Sequence, residues 1–567
     1  MTSDEPAITS LDAYDLIVVG GGAAGLTAAS VAAAEHRSVL LVEYAPVIGG
    51  TTAISGGMVW IPANHKMAEA GIPDSLDAAN VYLDNTLPAS SNPRLREAFL
   101  AHGDEALRYL DARTAVHLRC VRTYPDYHPD LPGATAGGRV LEAIPFDGRE
   151  LGRSFSLLRP PLPEFTLFGG MMVSRDDIPH LRKAGHSLRS AGRVFRLVGA
   201  YLMQRLRAPR GTTLYLGNAL AGRLLKSALD LGVEIRLGIS VEKLTVADGR
   251  VTGIEITASK QRKIVRAHRG VVLATGGISH DVELRRQHVP AQAGHFSAAV
   301  SPGAAKSGAR LALEVGAQMC DVGENGAFWV PSSRFTRRDR TEGVFPHIVT
   351  DRAKPGLIAV DATGRRFVNE AVSYHDFGLA QLRAASTAIP AYLICDRRFL
   401  WKYGIGRVKP FTVSVAADIA SGYLKRASTL AFLAEALGVP AGTLVATVET
   451  FNEDARKGVD RQFGRGSNIY QRHLGDAEHK PNPCVAPIEK SPFYGVAVYP
   501  ADLGMSAGLL TDETARVLAR GGSVIPGLYA CGNDMNSLME GAYPGPGITL
   551  GPALTFAYLA ARHAAAP

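Results

Sequence analysis

A glycine-rich turn near the start of the chain limits the fold more than any other feature. Residues 14–20 form a short, continuous apolar run, which is typical of a buried parallel strand. Glycines follow this run, and the alanine-rich residues 26–34 have the composition of a helix. A second apolar run, residues 38–42, comes next. This order of strand, glycine turn, helix and strand predicts a β-α-β unit and an α/β fold built on a parallel sheet.

The glycines of this turn have the spacing of a dinucleotide-binding fingerprint. Gly20 permits the tight turn, Gly22 lets the backbone approach a pyrophosphate, and Gly25 allows the helix to pack closely on the strand. Ala23 and Ala24 lie where the helix begins, and the first amides of a helix supply donors and a partial positive charge for phosphate groups. We therefore expect these five residues to bind the diphosphate part of a cofactor.

Later segments favour FAD over NAD, which shares this fingerprint. Glu43 ends the second apolar run, where a carboxylate accepts hydrogen bonds from ribose hydroxyls. Residues 49–57 combine glycines with small hydroxyl side chains, and residues 528–533 place a further strand and glycine turn near the end of the chain. A ligand as long as FAD needs such additional contacts. The cofactor-binding residues predicted on the later segments are Gly50, Thr51, Thr52, Ser55, Gly56, Gly57, Gly276, Gly532, Asn533, Thr549 and Leu550.

The pattern of strands and helices changes in the middle of the chain and returns at its end. Residues 328–500 mix strands, helices and long loops, whereas residues 527–563 again have the pattern of strand, glycine turn and helix. We predict a Rossmann-like α/β FAD-binding domain that is discontinuous, made of residues 12–326 and 500–567. An α+β catalytic domain, residues 327–499, is inserted between the two parts.

Composition argues against several classes of protein. The 567 residues contain no run of about 18 uncharged apolar residues, so we expect no membrane-spanning helix. The five cysteines form no CxxC pair and the 16 histidines show no HExxH spacing, which argues against a disulfide framework, a zinc site or another metal centre. The first 14 residues are acidic and lack Lys and Arg, unlike a secretory signal, so a cytoplasmic protein is expected.

The formal net charge of +8 is concentrated in residues 175–210, which hold nine Lys or Arg and two Asp, a balance of +7 (9 − 2). No nucleic-acid-binding module accompanies them, so nucleic acid is not an expected partner. The apolar residues of this excursion have the spacing of one helical face, with arginines beside it. They are Leu181, Leu188, Phe195, Val198 and Leu202. The basic amphipathic excursion is either a helical hairpin packed on the body of the protein or a helix on the anionic inner face of the cell membrane.

Five motifs resemble those of the flavoproteins of the fumarate reductase/3-ketosteroid dehydrogenase superfamily. They are GGGAAG at 20–25, GGTTAISGG at 49–57, ATGG at 274–277, LYACGN at 528–533 and PGPGITLGPALTFAYLAA at 544–561. The resemblance covers nearly the whole chain and implies FAD as the cofactor. It also implies non-covalent attachment, because residues 49–57 contain no histidine of the kind to which the fumarate reductase branch attaches its flavin.

Three further segments resemble the bacterial 3-ketosteroid Δ1-dehydrogenases of that superfamily. They are YPDYHP at 124–129, FVNEAVSY at 367–374 and AYPGPG at 542–547, with Ala371 departing from the usual serine. This resemblance implies four catalytic residues, Tyr127, Tyr374, Tyr543 and Gly547. It also implies a reaction of steroid degradation in which a 3-ketosteroid gains a C1–C2 double bond.

These residue types suit that reaction, in which a proton leaves the carbon beside the ketone and a hydride passes to flavin N5. The Tyr543 hydroxyl and the Gly547 amide are expected to stabilise the ketone oxygen as it gains negative charge, close to the positive end of the last helix. Tyr374 is expected to act as the base in a tyrosinate-like state, because an unperturbed tyrosine has a pKa of about 10 and is barely ionised near neutrality. Tyr127 is expected to share and relay the proton.

Two other functions remain open from the sequence. A fumarate-reductase-like enzyme would need cationic groups around two carboxylates and an arginine as proton donor, whereas the matching positions hold tyrosines. A redox-silent flavin-binding protein would keep the cofactor site without the chemistry. For a dehydrogenase, the expected partners are a 3-ketosteroid substrate and a quinone as electron acceptor.

Overall fold

The structure is a computed structural model of the 567-residue chain. It describes residues 13–567 except 90–91, 186, 259–260, 302, 304, 321, 323–324 and 338. The acidic residues that begin the chain, and residue 12 with which the first predicted domain starts, therefore lie outside the described residues. None of the described helices combines the length and the apolar composition needed to cross a membrane.

The strands and helices of the described residues are numbered here in chain order. The strands are β1 (Ala13–Val19), β2 (Val39–Glu43), β3 (Met58–Trp60), β4 (Leu118–Cys120), β5 (Val140–Ala143), β6 (Phe146–Asp147), β7 (Thr213–Leu214), β8 (Glu234–Leu237), β9 (Ser240–Ala247), β10 (Arg250–Ala258), β11 (Gln261–Leu273), β12 (Ala327–Thr336), β13 (Glu342–Pro346), β14 (Leu357–Val360), β15 (Ala391–Asp396), β16 (Lys425–Ala427), β17 (Phe493–Met505), β18 (Arg516–Leu518) and β19 (Val524–Ala530). The helices are α1 (Ala23–Ala34), α2 (His65–Glu69), α3 (Leu76–Thr86), α4 (Pro93–Arg113), α5 (Ile178–Lys183), α6 (Leu188–Arg205), α7 (Leu216–Asp230), α8 (Val282–Arg286), α9 (Gly308–Leu313), α10 (Tyr374–Arg383), α11 (Ala385–Ala388), α12 (Arg397–Tyr403), α13 (Ala416–Ala420), α14 (Leu430–Leu437), α15 (Ala441–Arg456), α16 (Ile469–Leu474) and α17 (Leu550–Ala565).

Strand β1 lies inside the larger sheet, whose order is β18-β19-β11-β1-β2-β8, with β10 and β9 joined to β11 as an antiparallel extension. It is parallel to both of its neighbours, β2 and β11. Leu16, Ile17 and Val18 are at most 1% exposed, as is usual for a parallel strand covered on both faces. The predicted β-α-β unit and the α/β fold class are confirmed.

Helices α1 and α17, the first and last helices of the described residues, pack against each other. Both are rich in alanine, so their axes approach closely and almost all of α1 is buried. Helix α17 also contacts a short 3₁₀ turn at Gly532–Asp534. A Cβ built on Gly532 would lie 3.0 Å from the Cβ of Ala24. The packing therefore brings the start of α1 next to a turn more than 500 positions later in the chain.

A second, antiparallel sheet has the order β13-β12-β17-β15-β14, with β16 paired to β17. Helix α10 packs on β12 and β17. The predicted boundary after residue 326 coincides with the start of β12, whereas the boundary after residue 499 falls inside β17, which continues to Met505. The division into domains at these positions stays a prediction.

Residues 175–210 form two helices, α5 and α6, rather than one amphipathic helix. Because α5 ends at Lys183 and α6 begins at Leu188, Leu181 lies on a different helix from the other residues of the predicted apolar face. On α6, Leu188, Phe195 and Leu202 are 94%, 80% and 59% exposed. The apolar face of α6 is thus left uncovered by the part of the chain that the structure describes.

Candidate active site

The glycine turn after β1 is shaped by contacts that exclude side chains at two positions. Gly20 has a φ of +110°, and a Cβ built on it would lie 2.2 Å from the carbonyl oxygen of Ala274. A Cβ on Gly25 would lie 1.9 Å from the carbonyl oxygen of Gly20. A Cβ on Gly22, the N-cap of α1, would meet no atom within 4 Å. Gly20 and Gly25 therefore allow the main chain to pack closely at these two positions, where a side chain would clash. Gly22 faces open space beside the N-terminus of α1.

Side chains of two neighbouring segments are hydrogen-bonded to this turn. Glu43, at the end of β2, accepts a hydrogen bond from the amide of Gly21 at 2.7 Å. The Oγ1 atom of Thr52 accepts one from the amide of Ala23 at 3.1 Å. The predicted ribose-binding carboxylate and the second glycine-rich segment are thus held at the start of α1, where the fingerprint expects ribose and diphosphate.

The rest of the second glycine-rich segment lines the same opening. Ser55 Oγ accepts a hydrogen bond from the amide of Gly57 at 3.0 Å, and Thr51 Oγ1 accepts one from a distant loop amide at 3.0 Å. A Cβ on Gly50 would lie 3.5 Å from the Cα of the N-cap of α1, and a Cβ on Gly56 would meet no atom within 4 Å. This segment therefore contributes main-chain surface, not bulky side chains, to the opening.

Asp534 joins the two remaining glycine turns, although the sequence did not indicate it. It accepts hydrogen bonds from Thr275 Oγ1 at 2.9 Å and from the amide of Gly277 at 3.1 Å. Burial raises the pKa of its carboxyl to about 6. These bonds hold the turn that contains Gly276 against Asn533, and a Cβ on Gly276 would again meet open space.

The groups around the opening between these turns and α17 suit FAD in their chemistry. A cavity there is lined by residues that include Phe328, Asn536 and Thr549. The Oδ1 atom of Asn536 is buried and has no hydrogen-bond partner among the described residues. Thr549 is the N-cap of α17 and Leu550 its first residue, so helix donors point towards the same space. An unpaired acceptor, free helix amides and glycines that face open space match a polar, planar ring with a diphosphate tail.

The predicted catalytic tyrosines converge beside this opening. The hydroxyl of Tyr374 donates to that of Tyr543 at 2.7 Å. The ring of Tyr127 lies 5.6 Å from each of the other two rings, edge-on to Tyr374 and stacked on Tyr543. All three residues are at most 5% exposed. Three positions far apart in sequence thus form one buried cluster.

Local contacts fix the position of two of these tyrosines. The amide of Tyr127 donates to the carbonyl of Pro544 at 2.9 Å, which ties its loop to the segment that carries Tyr543. Tyr374 is the first residue of α10, and Ser373 caps that helix. The tyrosine hydroxyls are therefore presented by a helix start and two mutually bonded loops.

Asp126 holds the loop of Tyr127 from the other side. Its carboxylate accepts hydrogen bonds from Trp60 Nε1 at 2.8 Å and from Arg139 Nη1 at 3.0 Å. Arg139 is itself fully buried and also bonds Asp74 at 2.7 Å. Breaking one partner of such a buried network is costly, so the loop conformation is firmly specified.

Gly547 occupies a position that only glycine fits. Its φ is +100°, and a Cβ on it would lie 2.5 Å from the carbonyl oxygen of Met58. Its own carbonyl accepts a hydrogen bond from the amide of Trp60 at 3.1 Å. No hydrogen bond occupies the Gly547 amide within the described parts of the chain. The turn thus leaves a main-chain donor available next to the tyrosines.

Burial sets the ionisation of the cluster. It raises the pKa of Tyr127 and Tyr374 well above the usual value, and that of Tyr543 to about 12. Burial also lowers the pKa of the neighbouring His375 to about 4, so this imidazole is neutral. The tyrosinate-like state expected of Tyr374 is therefore disfavoured, because the anion would be desolvated among other tyrosines.

Two further tyrosines belong to the cluster and were missed in the sequence. The ring of Tyr470 lies 4.8 Å from that of Tyr127, and its buried hydroxyl has no partner among the described residues. Tyr124 lies within hydrogen-bonding reach of Tyr127. Tyr124 stands in the same motif, which was a usable signal, whereas nothing in the sequence around Tyr470 distinguishes it.

A dinucleotide-type glycine cradle beside a buried cluster of proton-carrying tyrosines defines a flavoprotein oxidoreductase. The FAD binding domain family matches residues 15–550, and the chain belongs to that family. FAD is accordingly its cofactor.

Named relatives refine this placement. The chain is 38% identical to a 4-oxocyclohex-2-ene-1-carboxylate 5-dehydrogenase of Sinomonas cyclohexanicum, over 98% of this chain and 94% of that protein. It is 35% identical to a 3-oxosteroid 1-dehydrogenase of Mycobacterium tuberculosis, over 97% of this chain and 98% of that protein. The crystal structure of a 3-ketosteroid Δ1-dehydrogenase from Sterolibacterium denitrificans, in complex with 1,4-androstadiene-3,17-dione, is similar with a TM-score of 0.90 and 36% identity, covering 98% of this chain and 99% of that one. The resemblance carried by the motifs is confirmed.

Proposed function

We propose that this chain catalyses the 1,2-dehydrogenation of 3-ketosteroids, a step of steroid degradation. The hydroxyl pair of Tyr374 and Tyr543, 2.7 Å apart beside the available amide of Gly547, carries this proposal. In this proposal Tyr374 is the proton acceptor, and Tyr543 and Gly547 are the two hydrogen-bond donors to the ketone oxygen. The names of two of the relatives above, one of them solved with a steroid, support the same chemistry.

The ketone oxygen is bound by Tyr543 and Gly547. Both donors lie in a buried site from which bulk water is largely absent, where hydrogen bonds to a developing negative charge are strongest. Their segment runs directly into α17, whose N-terminus adds a positive electrostatic potential. These groups stabilise the enolate character that the oxygen gains as the proton leaves the adjacent carbon.

Tyr374 accepts that proton. Because its pKa is raised by burial, it begins neutral and must release its own hydroxyl proton as it takes the new one. Tyr127, whose ring lies edge-on to that of Tyr374 at 5.6 Å, takes up that proton and passes its own hydroxyl proton to solvent in the cavity that it lines with His128 and Asp130. The proton is thus shared within the cluster and no isolated tyrosinate has to be stabilised.

The glycine turn and Glu43 would hold the nucleotide part of FAD, and the segments around residues 49–57, 276, 532–533 and 549–550 would hold the rest of it. Bound there, it supplies the two-electron oxidant that takes up the hydride from the second carbon. The protein's part is to orient the steroid, exclude water and carry the proton.

The test is anaerobic reduction of the yellow holoenzyme. Addition of 4-androstene-3,17-dione should bleach the flavin and yield 1,4-androstadiene-3,17-dione. A flavin that no 3-ketosteroid bleaches, but that fumarate reoxidises after chemical reduction, would support the fumarate-reductase-like alternative instead. A flavin inert to both would support a redox-silent protein.

The aromatic surroundings favour the first outcome. The ring of Tyr543 has Phe328 at 5.3 Å and His375 at 5.6 Å as neighbours, in addition to the two catalytic tyrosines. Such walls suit an apolar ring system.

We also propose that α6 contacts an anionic lipid surface and that a quinone in that membrane accepts the electrons. The exposed side chains of Leu188, Phe195 and Leu202 form the apolar part of this surface, and the exposed Arg189 and Arg196 form its basic part. Each basic group near the membrane adds about 1 kcal/mol, screened by salt. The arrangement suits an enzyme whose substrate dissolves in lipid.

Vesicle sedimentation tests this surface. The protein should co-sediment with phosphatidylglycerol vesicles at low salt and be released by high salt or detergent. Phe195→Glu, and deletion of residues 178–208, should abolish binding, whereas Phe432→Glu, at a 55% exposed site on α14, should not. If the deleted protein binds vesicles as well as the full chain, the proposal is wrong.

A further inference from the structure

Arg175 lies at one end of the tyrosine cluster. Its guanidinium carbon is 5.3 Å from the ring centre of Tyr124, and its Nη2 donates to the sulfur of Met58 at 3.3 Å. The carbonyl of Met58 is the group that packs on Gly547. Met58 therefore contacts the Arg175 guanidinium through its sulfur and packs on Gly547, whose amide is the proposed donor to the ketone, through its carbonyl.

The charge of Arg175 is poorly compensated. The nearest carboxylate is Glu142, whose Oε2 is 3.9 Å from Arg175 Nε. The other oxygen of Glu142 is held by Arg119, with hydrogen bonds of 2.5 and 2.9 Å. Arg175 thus keeps donors available at a side chain that is 32% exposed.

His473 supplies a second polar group at the same place. Its ring lies 4.6 Å from that of Tyr124, on the cluster that Arg175 covers. Partial desolvation against Tyr124, together with the charges of Arg175 and Lys354, lowers the pKa of His473 to about 4 although the residue keeps an exposed edge, so the imidazole is neutral and carries one N–H. His473 is exposed, so its ring is accessible at this end of the cluster. An imidazole N–H close to the Arg175 guanidinium offers a donor and a positive charge to the same anion.

We propose that Arg175 and His473 form a carboxylate subsite, which extends the enzyme's range to ring ketones that bear a carboxylate on the side of the ring opposite the ketone. This rests on the proposed function, since it takes Tyr543 and Gly547 as the ketone-binding groups. A guanidinium binds a carboxylate with paired hydrogen bonds, which fixes the ring between the two ends of the site.

The reaction at such a ring is balanced in the same way as for a steroid. One C–H bond beside the ketone loses its proton to Tyr374, and the neighbouring carbon loses a hydride to FAD. A carbon–carbon double bond forms, and FAD is reduced by two electrons. The carboxylate takes no part in the chemistry and serves only to position the ring.

A matched pair of dead-end ligands tests the subsite in the holoenzyme. 4-Hydroxybenzoate carries a phenol for the ketone site and a carboxylate opposite it, whereas 4-methylphenol lacks the charge. Their dissociation constants are measured from the change in flavin absorbance. Arg175→Met should weaken 4-hydroxybenzoate on the order of 10- to 100-fold and leave 4-methylphenol within about twofold. Arg94→Met, at an exposed arginine of α4, should change neither.

Turnover provides a second readout. Wild-type kcat/KM for 4-oxocyclohexane-1-carboxylate should exceed that for its methyl ester by at least about tenfold, and Arg175→Met should remove this preference while keeping turnover of 4-androstene-3,17-dione. Equal effects of Arg175→Met on the charged and neutral ligands, or no effect on either, would overturn the subsite. If the steroid does not bleach the wild-type flavin but 4-hydroxybenzoate still depends on Arg175, the proposed function fails and the subsite stands.

Discussion

Replacing Tyr374 with phenylalanine tests the proposed base. The change removes one hydroxyl from a side chain that is 5% exposed and leaves its ring packing in place. Loss of a positioned base lowers a rate by about 10²- to 10⁴-fold, so flavin reduction by 4-androstene-3,17-dione should slow by at least about 100-fold. Steroid affinity should change by less than about threefold, because in the proposed mechanism Tyr543 and Gly547, not Tyr374, bind the ketone.

The same change has a cost in stability that can be separated from its effect on rate. Tyr543 loses the hydroxyl that donates to it at 2.7 Å, and an unsatisfied buried hydroxyl costs about 1–3 kcal/mol of the free energy of unfolding. Tyr14→Phe is the matched control, since Tyr14 is 3% exposed and donates to Glu234 at 2.6 Å on a strand end away from the cluster. It should lose comparable stability and keep its rate.

Stopped-flow absorbance under anaerobic conditions gives both the bleaching rate and its dependence on steroid concentration, and denaturant titration gives the stability. A Tyr374→Phe enzyme that bleaches within about threefold of the wild-type rate would refute the assignment of the base. Tyr127 would then be the first residue to examine.

Four other outcomes are expected. Tyr543→Phe should weaken steroid binding and slow bleaching by about 10²- to 10³-fold, because the ketone loses a donor it uses before and during enolisation; unchanged values would remove Tyr543 from the oxyanion site. Gly547→Ala should reduce both activity and melting temperature, since its Cβ would lie 2.5 Å from a carbonyl oxygen, and a fully active alanine variant would contradict this. Acid precipitation should release the flavin into the supernatant, whereas colour kept in the pellet would indicate covalent attachment. The carboxyl of Asp534 has a pKa of about 6 in the folded protein and about 3.9 in the unfolded chain, so the folded state binds its proton more tightly. This contribution to the free energy of unfolding is complete below about pH 4 and is lost as the pH rises through 6. The loss is on the order of 3 kcal/mol. Denaturant titrations between pH 4 and 7 should therefore be flatter for Asp534→Asn, and an unchanged slope would show that this carboxyl is not the cause.

Features set by local spacing were predictable from the sequence. The β-α-β unit follows from short-range patterns of apolar residues and glycines, which is why its strands and helix are found within a few residues of the predicted bounds. The tyrosines were found through motif resemblance, and the structure adds their distances. Their roles stay predictions until the variants are measured.

Features set by distant contacts were not predictable. Asp534 matters because it bonds residues about 260 positions earlier in the chain, and Tyr470 because α16 packs on the loop of Tyr127. The burial that raises the pKa of Tyr374 could not be predicted for the same reason, since desolvation depends on what surrounds a side chain and not on its sequence neighbours. Sequence spacing likewise gave a helical face around Phe195 but not the break before α6 or its 80% exposure.

Half of the proposed ketone-binding pair belongs to the main chain, and this restricts how such an enzyme diverges. Apart from proline, which has no amide hydrogen, no substitution at position 547 changes the amide donor, and the carbonyl of Met58 leaves no room for any side chain there. Substitutions can therefore change the substrate only through Tyr543 and through the side chains that surround the ring of the bound ketone. A lineage that takes up a new ketone is expected to keep its point of attachment and to vary the far end of the cleft, so that differences in substrate among descendants accumulate at positions such as Arg175.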